Sequence, residues 1–192
     1  STDTEYIVGE SNNGARISLM DYGTKRNIAE SLAARGCRVA VEPCGTDAQH
    51  ILDSHPDGIM LSNGPGDPAD CKGMIQQIKI LASSGVPIFA ICLGHQLMAL
   101  SQGAKTQRMK YGHRGANHPV KFLDEDRTFL SSQNHGYMVS GEDLPGGMRV
   151  NVINVNDNTV EGMLYEKRPI FTVQFHPEAS PGPRDTSFLF DR

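Results

Sequence analysis

No apolar run in this sequence approaches the ~18 residues needed to cross a bilayer, so no spanning helix is expected. No signal-peptide pattern is visible at the start. The first residue is serine rather than methionine, which leads us to expect a processed chain or a fragment. Cysteine is scarce. Cys37, Cys44, Cys71 and Cys92 could make two disulfides by count alone, but they lack CxxC spacing and fall in separate predicted elements. Reduced thiols and a cytoplasmic setting are the better expectation. Positive charge is not in excess either. The 18 Lys and Arg against 22 Asp and Glu leave a formal charge of −4, and the basic residues are scattered, so no nucleic-acid surface is expected. Internal repeats and low-complexity segments are absent. What remains is a chain of 192 residues with 38% hydrophobic content and 20 glycines, a size that suits one domain with many tight turns.

The patterning divides the chain in two. The opening 1–14, "STDTEYIVGESNNG", is polar and reads as a linker, with the domain proper running over 15–192. Strands are predicted at Ala15–Gly23, Cys37–Pro43, Gly58–Ser62 and Pro87–Cys92. Between and after them, helices are predicted at Asn27–Arg35, Asp47–His55, Lys72–Ser84 and Gly94–Gln102, several of them closed by glycine. Such alternation implies an α/β fold, an open and mostly parallel sheet covered by helices on both faces. After Lys105 the helical periodicity stops. Short strands at Pro119–Phe122, Tyr137–Ser140, Met148–Asn154, Val160–Tyr165 and Ile170–Phe175, separated by Gly, Asn and Asp turns, read as antiparallel additions. The last segment, "DTSFLFDR", starts like a helix capped by Asp185 or Thr186, and a boundary cut into a terminal helix is expected there.

Three stretches carry chemistry. "FAICLGHQLMAL" (Phe89–Leu100) is an apolar strand that ends in a thiol and turns at once into a helix, the arrangement of a nucleophile elbow. Ala90 and Gly94 supply the small neighbours that so crowded a turn needs. The N-terminus of the following helix favours thiolate over thiol, and the Leu93 amide is placed to receive an oxyanion. By itself the motif fits a buried core cysteine equally well.

A cysteine nucleophile needs a base, and seven histidines compete for that role. His50 and His55 sit in or beside a surface helix. His95 lies inside the elbow helix, where a structural role is expected. His113 and His118 suggest metal ligands, but no third ligand follows at a recognisable spacing, so no metal is expected. His176 is different. In "VQFHPEASPGP" it closes an apolar strand, where open α/β sheets put their active sites. Glu178, two residues on, can reach the same imidazole and fix its tautomer. The third stretch is "LSNGPGDP" (Leu61–Pro68), which follows a buried strand and sets Gly64 and Gly66 around a proline. Its exposed backbone amides would suit an anion, but it is not GxxxxGK[ST], so an oxyanion donor beside Cys92 is preferred to a phosphate loop.

In combination these segments resemble the class I, triad-type glutamine amidotransferases. "CLGHQ" and "HPE" mark that superfamily. "LSNGPGDP", "KYGHRGANHPV", "SQNHGY" and "HPEASPGP" are similar to the glutaminase domain of the carbamoyl phosphate synthetase small subunit. The resemblance implies a flavodoxin-like core with Cys92 as nucleophile, His176 as base and Glu178 as its orienting carboxylate. It also implies Gly64 and Leu93 as oxyanion donors, and Gly66, Gln96, Asn134, Gly136 and Tyr137 as contacts of L-glutamine. The family often has phenylalanine at the place of Tyr137. It further implies ammonia transfer to a large synthetase subunit that uses ATP, Mg and bicarbonate for carbamoyl phosphate, in arginine or pyrimidine biosynthesis. This domain itself would need no cofactor. The family also has a preceding N-terminal domain that lends a serine contact to the glutamine. Two other readings are a glutaminase serving another synthase, such as one making anthranilate, and a non-catalytic docking module. The intact trio Cys92, His176 and Glu178 counts against the latter.

Overall fold

The computed structural model describes residues 1–179 and 182–192. Ten strands form one mixed sheet in the order β1-β3-β2-β4-β5-β10-β9-β8-β6-β7. They are β1 (Tyr6–Val8), β2 (Arg16–Asp21), β3 (Arg38–Pro43), β4 (Gly58–Leu61), β5 (Ile88–Ile91), β6 (Thr106–Phe122), β7 (Arg127–Val139), β8 (Met148–Asn154), β9 (Val160–Tyr165) and β10 (Ile170–Val173). The helices are α1 (Arg26–Ala33), α2 (Ala48–Asp53), α3 (Lys72–Ser83) and α4 (Leu93–Ser101). Neighbours in the run β3-β2-β4-β5-β10 pair in parallel. All other neighbours are antiparallel.

The parallel strands are buried on both faces, and period-2 alternation sends successive side chains to opposite layers. Met20, Leu61 and Ala90 face the layer that packs on Ile51 of α2, Ile78 and Leu81 of α3 and Leu97 of α4. Leu19, Met60 and Phe89 face the other layer, with Ile28 and Leu32 of α1 and, from the chain end, Leu189 and Phe190. Tyr6–Val8 lies within the polar opening stretch and adds an antiparallel edge to β3. Three residues are too few to leave a clear alternation in the sequence. Residues 106–139, where only two short strands are predicted, form instead a long irregular hairpin whose register shifts between Arg108 and His113 and again between Gly115 and His118. The predicted terminal helix is a 3-10 turn, Ser187–Asp191, and Thr186 makes no side-chain cap bond.

The topology brings distant residues together in one step. β10 is late in the chain yet inserts beside β5, pairing Val173 with Ile91. The Cys92 amide then donates to the Val173 carbonyl at 2.9 Å. The residues that follow β5 and β10 therefore emerge side by side at the C-terminal edge of the parallel strands.

Candidate active site

Cys92 joins β5 to α4 with φ 52° and ψ −105°, a conformation that non-glycine residues rarely adopt. The turn is held by close packing. A Cβ at Gly94 would lie 2.4 Å from the Leu61 carbonyl oxygen, and the Gly94 amide donates to Ser62 O at 3.0 Å. A Cβ at Gly64 would lie 2.2 Å from Tyr22 O and 2.7 Å from Leu93 Cδ2. Glycine is therefore required at both places, and the 62–66 loop lies against the elbow. Neither the Gly64 amide nor the Leu93 amide has an acceptor among the described residues.

His176 is buried, and its Nδ1 donates to Glu178 Oε1 at 2.7 Å. Its Nε2 makes no hydrogen bond among the described residues, and His176 shares the cavity wall with Cys92. Burial opposes a charge on the ring. The interactions with Cys92 and Glu178 outweigh it and raise the imidazole pKa to about 9. Burial would also raise the Glu178 carboxyl, but His176 and Lys25 hold it below its ordinary value. The Lys25 ammonium lies 3.1 Å from Glu178 Oε1.

Sequence reading missed Lys25. It sits in the loop after β2, at the same sheet edge as Cys92, and that position was the available signal. The loop is fixed by buried polar groups. Asp21 accepts from the amides of Gly23 and Thr24, and Asn63 Oδ1 accepts from the Lys25 amide at 3.0 Å.

A cavity of about 1020 Å³ opens over the elbow. Gly64, Gly66, Cys92, Gln96, Asn134, Gly136, Tyr137 and His176 line it, together with Lys25, Arg108, Lys110 and Arg114. Glu178 and Leu93 lie behind this wall rather than on it. Gln96 Nε2 donates to the Tyr137 carbonyl and to Gln174 Oε1, both at 2.9 Å. Tyr137 and Asp67 both line the cavity, so the 61–68 loop and β7 face each other across it. Four basic side chains give this concave surface the character of a carboxylate-binding site.

His95 has the structural place expected of it. It is fully buried, pairs with Thr172 Oγ1 at 2.7 Å, and burial lowers its pKa to about 3. In the fold His113 stands in a cluster of three potential metal ligands that does not include His118. His113, His135 and Glu161 bring one ligand atom each to within 4.8 Å of one another. They come from β6, β7 and β9, so no sequence spacing announces them. Of the "HPEASPGP" segment, residues 180–181 lie outside the described residues. The free cysteines Cys37, Cys44 and Cys71 are partly buried and lie away from the cavity wall.

With this geometry in view, the relatives can be named. The model of the glutamine amidotransferase class-I family matches residues 18–192. The carbamoyl phosphate synthase small chain of Symbiobacterium thermophilum is 49% identical over 180 residues, 93% of this chain and 50% of that one. The protein of the same name from Pectobacterium atrosepticum is 52% identical over 171 residues, 89% of this chain and 45% of that one. The chain thus spans about half the length of the curated relatives it matches. Among solved structures, a glutamine amidotransferase from Thermotoga maritima superposes with a TM-score of 0.69 at 17% identity, covering 85% of this chain and 76% of that one. A putative GMP synthase protein from Thermoplasma acidophilum gives 0.77 at 21% identity, covering 91% and 90%. At such identities the likeness speaks for the fold alone. The family match over nearly the whole chain, with an elbow cysteine beside a histidine–glutamate pair, leads to one conclusion: the chain belongs to the class-I glutamine amidotransferases.

Proposed function

We propose that this domain hydrolyses the side-chain amide of L-glutamine to glutamate and ammonia. The observation that carries the reading is the alignment of Cys92, His176 and Glu178 at the ends of adjacent strands, under a cavity rich in cations. The raised pKa of His176 lets it hold the Cys92 proton before attack, and the Sγ thiolate then adds to the amide carbon. The oxygen of the tetrahedral intermediate turns toward the amides of Leu93 and Gly64, which are without other acceptors among the described residues. His176 returns the proton to the leaving ammonia, a thioester remains on Cys92, and water activated by the same imidazole releases glutamate. Glu178 keeps Nδ1 protonated and Nε2 aimed at the sulfur. Gly66, Gln96, Asn134, Gly136 and Tyr137 hold the substrate, and the basic lining receives its α-carboxylate.

Relatives named carbamoyl phosphate synthase small chain, near half identity, support a further step. The ammonia passes to a large synthetase subunit, which makes carbamoyl phosphate with ATP, Mg and bicarbonate for arginine or pyrimidine synthesis in the cytoplasm. The domain itself takes part in that work as an ammonia source, beside the half of its relatives' length that it does not span. Ammonia release from glutamine by the full-length protein, with and without such a large subunit, tests both levels. Release that Cys92→Ser does not abolish would remove the thiol mechanism. Release without any gain in carbamoyl phosphate would remove the partner.

A further inference from the structure

Glu161 belongs to β9 and takes no part in the chemistry above, yet it is fully buried. Its oxygens are committed: Oε1 accepts from Asn154 Nδ2 at 3.1 Å and lies 3.3 Å from His113 Nδ1, and Oε2 accepts from Gln133 Nε2 at 2.9 Å. With the His113 Nε2 contact to Asp157 Oδ2 at 2.8 Å, these interactions tie Glu161 and His113 to their surroundings. The chain of bonds continues toward the cavity. Gln133 Oε1 meets His135 Nε2 at 2.9 Å, and His135 Nδ1 meets the Tyr137 carbonyl at 2.8 Å. That same carbonyl receives Gln96 Nε2.

Proton counting makes this relay informative. A carbonyl oxygen only accepts, so His135 Nδ1 carries a proton. If Gln133 keeps its amide nitrogen on Glu161, His135 Nε2 faces an oxygen and must be protonated too. If the amide turns over, His135 is neutral, but Gln133 Oε1 then faces the Glu161 carboxyl, which must hold the proton. The first arrangement places a charge on a buried ring whose pKa burial lowers to about 4, so it is the costlier of the two.

We propose that Glu161 is a positioning residue for the substrate cavity, acting through Gln133 and His135 to hold the Tyr137 carbonyl and, with it, Gln96. This rests on the glutamine reading given above. It makes an unusual demand on substitution. In Glu161→Gln the new amide can donate to a turned Gln133 and satisfy a neutral His135, so the relay closes without an extra proton. In Glu161→Leu the apolar side chain leaves Gln133 Nε2 only its 3.1 Å bond to Ser131 Oγ, and the Tyr137 wall loosens.

The test uses the full-length protein and two alkylating probes of Cys92: a chloroketone analogue of glutamine, which needs the cavity, and iodoacetamide, which does not. In Glu161→Leu the half-saturating chloroketone concentration is expected to rise roughly tenfold, the cost of one lost buried hydrogen bond. The maximal chloroketone rate and the iodoacetamide rate should stay within about twofold of the parent. Glu161→Gln should stay within about threefold on every measure, since it keeps the relay closed. Should Glu161→Leu not fold, Gln133→Met breaks the same relay one link later and must give the same split. Equal losses with both probes, or no recovery in Glu161→Gln, overturn the positioning role. A parent that reacts with iodoacetamide but shows no saturable reaction with the chloroketone overturns the glutamine reading, and this inference falls with it.

Discussion

Three residues of the proposed catalytic unit make separable demands. Serine nearly matches cysteine in volume but gives up its proton far less readily, so Cys92→Ser should fold normally and show no measurable ammonia release. His176→Asn should be about as inactive, because members of one catalytic unit fail together. Glu178→Gln should cost less, since the imidazole keeps a partner in a poorer orientation; activity as low as that of His176→Asn would give Glu178 a more direct part. His176 also predicts a pH dependence of stability. Its pKa rises from 6.5 to about 9 on folding, so the folded state binds this proton more tightly than the unfolded one. The resulting stabilisation is complete below pH 6.5 and disappears as pH passes about 9. Urea midpoints should accordingly fall between those values in the parent and fall less in His176→Asn. Lys25 is the remaining residue of interest. Its ammonium bears on Glu178 at 3.1 Å, so Lys25→Met should lower glutaminase activity without removing the nucleophile. Undiminished ammonia release in that variant would make the ion pair incidental.

At the level of elements, the site depends on how closely α4 can approach β4. An added methyl at Gly94 meets the Leu61 carbonyl oxygen at 2.4 Å, and that oxygen belongs to a fully buried strand. Gly94→Ala must push the start of α4 away, at an overpacking cost of about 1–3 kcal/mol. Because Cys92 and the Leu93 amide ride on that helix start, kcat should fall further than KM rises. A Gly94→Ala protein with lowered thermal midpoint but parental kcat would show that the elbow tolerates displacement. The same reasoning explains why β10 had to return to the middle of the sheet. Only a parallel neighbour of β5, in the register Val173 to Ile91, sets a histidine beside the elbow.

At the scale of the whole molecule, the cavity lies open between the 61–68 loop and the long hairpin of β6 and β7, and the chain covers about half of its relatives' length. The nucleophile, base and amide donors proposed for the reaction all lie within the described residues. A preceding domain that added one hydrogen bond to a charged group of the substrate would therefore contribute about 1.5–3 kcal/mol, felt mainly in binding. If the preceding domain implied by the family resemblance is joined to this chain, KM is expected to fall by about one to two decades with a smaller change in kcat. A rise in kcat alone would show instead that the added domain organises the catalytic groups.

The local features of the site were legible in the sequence. Small residues around Cys92, glycines around Pro65 and the pair His176 and Glu178 are demands of backbone geometry and short-range contact, which spacing along the chain displays. The α/β alternation was legible for the same reason, since buried parallel strands and amphipathic helices write their periods into consecutive residues. Other features were decided only by tertiary structure. Tyr6–Val8 becomes a strand because β3 offers an edge, and residues 106–139 become one hairpin because bulges let it bend. Lys25 meets Glu178, and His113, His135 and Glu161 converge, through contacts between segments far apart in the chain. No periodicity encodes which strands lie side by side. That choice follows from how the whole sheet buries its two apolar faces, and with it come the neighbours of every buried polar group.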